Sequence, residues 1–261
     1  MTPRRWACLM YHEVPGEATP AGYYAIPHDR FAAQLGVIRA LGLTASSLER
    51  VLAGPPGPTV GLTFDDGHET HYTQVFSLLQ ERQLTATFFV TSAWVGTPGY
   101  VSWHQLREMA DAGMSIQSHT ASHPFLSELG RADAARELAA SKAIIEQEIG
   151  RPCTTLALPG GDAPRGWSPA DYAALGYRCV ATSRWGPNRV EREPRDGVRY
   201  IRRYTVRRGT PDALLRKLAL AEERTLGPEG IRLAALHVLR STLGATRYTR
   251  WRRRVLRVLG D

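Results

Sequence analysis

Short apolar runs of strand character alternate with helical periodicity along most of this chain, and that alternation constrains its fold more than any other feature. Strand-like runs stand at about 8–12, 60–64, 86–90, 115–118, 155–158, 179–183 and 200–206. Between them, 30–41 repeats Phe31, Leu35 and Ile38 on one face, and 70–82 repeats Val75, Leu78 and Leu79. Residues 102–112 carry a Ser102 N-cap and stop at Gly113, a good residue just past a helix end. The longest helical stretch, 131–149, turns Leu138, Ile145 and Ile149 inward and is stopped by Gly150-Arg151-Pro152. Helices over 169–175 and 211–220 each carry proline in the first turn. Strands with interleaved helices predict an α/β protein, a distorted (β/α)7-type barrel. Its reactive groups would stand at the C-terminal ends of the strands.

A length of 261 residues suits one such barrel. The expected division is a barrel over 1–225 and a basic amphipathic helical tail over 226–261. In the tail, Trp251, Val255, Val258 and Leu259 form an apolar stripe beside Arg250, Arg252, Arg253, Arg254 and Arg257. That profile suits an anionic membrane surface and equally suits a helix packed on the barrel. The net charge of +8 gathers in the tail and in the arginine-rich stretch 184–208, which reads as a solvated helix face. No nucleic acid is expected as a partner. Cys8, Cys153 and Cys179 are odd in number, lack CxxC spacing and sit in or beside apolar runs. They read as reduced core thiols of a cytosolic protein. The apolar run after the basic N-terminus is too short for a signal sequence, and none reaches the ~18 residues of a membrane span. The expected location is cytoplasmic, with a peripheral place at the inner membrane face open to the tail.

Two motifs carry the chemistry. Gly61-Leu62-Thr63-Phe64-Asp65-Asp66-Gly67 ends a strand in two adjacent carboxylates on a glycine turn. In an extended chain the two would point to opposite faces, but a turn at Gly67 brings both towards one pocket. Such a pair divides labour, one holding a metal and the other moving protons. Ser118-His119-Thr120-Ala121-Ser122-His123-Pro124 then offers two imidazoles four positions apart, which a helical turn would set on one side. The bland readings are an Asp-Asp-Gly surface turn and a helix start capped by Ser118.

These motifs, in this order and with Ala86-Thr87-Phe88-Phe89-Val90 between them, resemble the first two motifs of the polysaccharide deacetylases (carbohydrate esterase family four, the NodB-homology domain). Leu9-Met10-Tyr11-His12-Glu13-Val14 resembles the opening of a subgroup with a Met-Tyr-His strand, and the likeness covers roughly residues 7–210. It implies hydrolysis of an N-acetyl amide on an amino sugar in a polysaccharide, glycolipid or glycan precursor. Under it, Asp66, His119 and His123 would hold Zn2+ (or Co2+ or Ni2+), and Asp65 would deprotonate the attacking water. In the third motif, Leu156-Ala157-Leu158-Pro159-Gly160-Gly161-Asp162, the Gly160 amide behind Pro159 would meet the oxyanion.

Here the chain departs from the family. Ala157 and Gly160 stand where many members carry an arginine, positioned by the catalytic Asp, and an aromatic residue. Trp185 either walls the acetyl pocket or is an ordinary buried aromatic. The general acid is His237, in Leu233-Ala234-Ala235-Leu236-His237, or else His12 at the end of the first strand. His237 also fits a surface helix, and His68 and His71 follow the Asp pair as further imidazoles. Two other readings stay open: hydrolysis of a different amide, and a metal- or glycan-binding domain without turnover.

Overall fold

The computed structural model describes residues 5–16, 22–54, 57–189, 194 and 197–222. Its strands are β1 (Arg5–Trp6), β2 (Cys8–Tyr11), β3 (Thr44–Ser46), β4 (Thr59–Phe64), β5 (Thr87–Val90), β6 (Ser115–Ser118), β7 (Thr155–Ala157), β8 (Cys179–Ala181), β9 (Asn188–Arg189), β10 (Arg199–Ile201) and β11 (Tyr204–Thr205). The helices are α1 (His28–Ala40), α2 (Leu48–Leu52), α3 (Ser77–Glu81), α4 (Trp103–Asp111), α5 (Arg131–Ile149), α6 (Pro169–Ala174) and α7 (Asp212–Ala219). Ser102 caps α4 as expected, in a reciprocal box with Gln105.

The nine-stranded main sheet runs β10-β8-β7-β6-β5-β4-β2-β11, with β3 also on β4. All of its pairings are parallel. Laid flat, this order would set β10 and β11 about 33 Å apart, at roughly 4.8 Å per strand. Yet only Arg202 and Arg203 separate the end of β10 from the start of β11. That stretch of chain reaches at most about 11 Å. The sheet therefore curls until its two edges meet, and the chain itself crosses the seam. This is the distorted barrel expected from the β-α alternation.

Strands covered on both sides read as nearly continuous apolar runs, which is why they were legible. Leu9, Phe64, Phe88, Leu156 and Val180 belong to the larger core cluster, shared with residues of the surrounding helices. Cys8, Phe89, Ala157, Ala181 and Ile201 form a smaller cluster on the opposite face, inside the barrel. Two expectations fail in detail. The single strand anticipated over 200–206 is two strands on opposite edges of the sheet. The described residues of the stretch 184–208 form no helix face but include β9, β10 and β11, and Arg203 among them is completely buried. The helix expected over 70–82 opens with a wide π-helical turn, His71–Phe76, before α3. Such turns frequently mark functional regions.

Burial pushes the Cys8 and Cys153 thiols up to about 12 and Cys179 higher still. A thiol raised this way stays protonated, and hence unreactive, well above its ordinary value near 8.5. At pH 8 a thiol-specific reagent is therefore expected to label none of the three in the native protein and all three in denaturant. Rapid native labelling at any one would contradict this packing. Among the described residues no helix is long and apolar enough to cross a membrane. The tail expected over 226–261, with Trp251 and His237, lies outside the described residues.

Candidate active site

The Asp65 amide donates to the Tyr11 carbonyl at 3.0 Å, which keeps the residue in line with β4. Thr63 and Asp65, two apart, then share the inward face. Asp66 would point away if the strand continued. Instead it takes φ 80° and Gly67 φ 82°, a left-handed pair that turns the chain back over the barrel mouth. A Cβ on Gly67 would stand 3.2 Å from a Val90 methyl, so the turn also needs glycine for space. Both carboxylates thus reach one pocket, as the motif predicted.

Asp65 is buried and held by a forked ion pair. Arg203 Nη1 lies 2.6 Å from Oδ1 and Nη2 lies 2.8 Å from Oδ2. The same guanidinium donates through Nε to the Thr182 carbonyl at 3.1 Å and through Nη1 to Thr63 Oγ1 at 3.3 Å. It also lies 5.3 Å from the Phe89 ring centre. Burial opposes ionisation of Asp65, but Arg203 and then His119 hold its carboxyl below the ordinary carboxylate range. The arginine missing at position 157 is therefore replaced from the seam between β10 and β11, 138 residues from its partner. Nothing in the third motif signals this.

His119 follows β6, its amide bonded to the Val90 carbonyl at 2.9 Å. Its Nδ1–H donates to the Ala157 carbonyl at 2.8 Å, which fixes the tautomer and leaves Nε2 facing Asp66 Oδ1 at 3.3 Å. His123 Nε2 stands 3.5 Å from the same oxygen, and its ring stacks on Trp94 with centres 5.1 Å apart. One ligand atom from each of Asp66, His119 and His123 lies within 4.8 Å of the others. The imidazoles do not sit on a helical turn as expected. They flank an irregular loop with left-handed Thr120 and His123, φ 69° and 61°. Glu137 of α5 pins that loop by accepting from the Ala121 and Ser122 amides and the Ser122 hydroxyl, at 3.1, 2.9 and 2.8 Å. This anchor also went unread in the sequence.

The donor set fits a divalent cation. It has two imidazole nitrogens and a carboxylate oxygen converging, one ring already oriented by a backbone carbonyl, and three ligands that leave positions open. Burial works against ionisation of Asp66, yet the hydrogen bond from His119 and the nearby His12 and His123 keep it below its ordinary value.

His12 stands beyond the end of β2. Its ring packs on Tyr24 at 4.9 Å, and its field acts on both Asp65 and Asp66. Its Nδ1 is buried without a hydrogen-bond partner among the described residues. His71 is not a second candidate acid. It is fully buried, its Nε2 donates to the His12 carbonyl at 2.7 Å, and burial brings it down to about 4. It holds the backbone of His12 instead. Pro159–Gly161 forms a tight turn at the end of β7, with left-handed Gly160 and Gly161. A Cβ on Gly161 would fall 2.8 Å from the Ser183 Cβ, so glycine there lets this loop close on the one after β8. Trp185 is half-buried, edge-on to Tyr204 at 5.5 Å, and lines a neighbouring cleft.

The fold is the distorted (β/α) barrel of the NodB-like deacetylases, and its strand ends carry an Asp-His-His cluster beside an arginine-held carboxylate. The family model for polysaccharide deacetylase matches residues 53–180, just under half of the chain. YxkH of Bacillus subtilis is 27% identical over 165 residues, 61% of this chain and 58% of YxkH. The poly-beta-1,6-N-acetyl-D-glucosamine N-deacetylase of Escherichia coli K12 is 28% identical over 137 residues, 44% of this chain and 20% of its own. This chain thus spans well under two thirds of either relative. Among solved structures, the Streptococcus pyogenes deacetylase PplD superposes with a TM-score of 0.74 at 23% identity, over 84% of this chain and 99% of PplD. That likeness concerns the fold.

Proposed function

We propose that the protein is a metal-dependent hydrolase that removes the acetyl group from an N-acetylated amino sugar of a polysaccharide, glycolipid or glycan precursor, releasing acetate. The carrying observation is that Asp65, held ionised by Arg203, stands beside the Asp66-His119-His123 cluster. The named activity of the Escherichia coli relative supports the amino-sugar substrate.

Asp66, His119 and His123 would hold the divalent ion (zinc, cobalt or nickel), which when bound supplies Lewis acidity to a water molecule and to the acetamide carbonyl. Asp65 accepts a proton from that water as its oxygen adds to the acetamide carbon. Arg203 keeps Asp65 anionic and aimed. The Gly160 N–H, behind Pro159, donates to the developing oxyanion. As the C–N bond breaks, His12 gives a proton to the departing amine, and the products are acetate and the free amino sugar. Arg203 supplies the guanidinium that position 157 lacks, which supports turnover over a domain that only binds.

Acetate release from tetra-N-acetylchitotetraose tests this. Turnover is expected with zinc, to be lost on chelation and restored by adding metal back. Absence of turnover on every N-acetyl sugar tried, with metal fully bound, would overturn the proposal.

A further inference from the structure

A cleft of about 870 Å³ opens beside the catalytic floor, where the loops after β7 and β8 meet β9 and β10. Its walls combine Arg184, Arg189, Arg199 and Arg202 with the aromatic rings of Trp185 and Tyr200. Among the described residues of the cleft lining, these four guanidinium groups meet one carboxylate, Glu222. Arg184, Arg189 and Arg202 are exposed and form no ion pair with a described residue. Tyr200, 45% exposed, is one of two large apolar side chains so exposed among the described residues. Its ring meets Tyr172 edge-on at 6.4 Å, and Tyr172 meets Trp167 at 5.1 Å, so it is backed by an aromatic row.

The cleft begins where the catalytic groups end. Thr182 lines it, and the Thr182 carbonyl is the one that accepts from Arg203 Nε, behind Asp65. Gly161, next to Gly160, lines it as well. A sugar whose acetamide lies over Asp65 would therefore send its neighbour along the chain towards the arginines.

Resting on the deacetylase reading, we infer that this cleft binds an anionic group, a phosphate or a carboxylate, carried by the glycan beside the acetylated sugar. Guanidinium forks match the paired oxygens of either anion, and exposed rings give sugar faces an apolar surface. A concave site lined by one sign of charge also raises the local concentration of an oppositely charged ligand, an effect that salt weakens.

The test compares three probes on the whole zinc-loaded protein by calorimetry: neutral tetra-N-acetylchitotetraose, a hyaluronan tetrasaccharide for the carboxylate, and N-acetylglucosamine 1-phosphate for the phosphate. At low salt, at least one anionic probe is expected to bind about tenfold or more tighter than the neutral one. The preference should shrink in about 0.5 M salt, and the tighter anionic probe identifies the source. In the Arg184→Gln/Arg202→Gln variant the preference should fall towards parity. The Arg184 amide donates to Thr182 Oγ1 and the Arg202 amide to Asn188 Oδ1, backbone bonds that survive the change. Equal affinity for all three probes, or a preference that the double variant retains, would overturn the inference. Since binding is read apart from turnover, an anionic preference without acetate release would sink the deacetylase reading and leave the cleft standing.

Discussion

Replacing Arg203 by leucine is expected to destabilise the fold by about 3–5 kcal/mol, because it leaves the Asp65 carboxylate buried without its partner. Deacetylation should fall by about 10²-fold or more, since burial then favours the protonated carboxyl, which cannot accept a proton. Stability would be read by urea denaturation and activity by acetate release. The Asp65→Leu/Arg203→Leu double variant separates the two effects. It removes both charges, so much of the stability should return while turnover stays absent. If the double variant were no more stable than Arg203→Leu, the ion pair would not be the cause.

The second large effect concerns the ligand cluster. His119→Ala should abolish stoichiometric zinc, measured on the purified protein by elemental analysis. Acetate release should drop by about 10³-fold, the scale of several kcal/mol of Lewis-acid stabilisation. Asp66→Ala should do the same. Glu137→Gln, which touches no ligand directly but weakens the anchor of the 119–123 loop, should lower metal affinity by about 10–100-fold. Full zinc occupancy in His119→Ala would place the ion elsewhere.

Those residues were legible in the sequence to very different degrees. Asp65, Asp66, His119 and His123 sit in short local motifs at strand ends, so neighbouring residues and chain order identified them. The barrel was legible for a related reason: strands such as β2 and β5 are buried on both faces and read as nearly continuous apolar runs. Arg203 was not legible, because its role depends on the sheet closing on itself, and no local pattern encodes where two edges meet. The same closure split an apparently single strand into β10 and β11. The shape of the His119–His123 loop was also misread, since left-handed Thr120 and His123 are choices that Glu137 and the surrounding packing impose.

Asp65→Asn, assayed for bound zinc and acetate release on one purified sample, bears most directly on the division of labour between the two carboxylates. Zinc should remain at one equivalent while turnover falls to the level of the chelated wild type. Zinc lost together with activity, or activity kept, would contradict the assignment of Asp65 as proton acceptor and Asp66 as ligand.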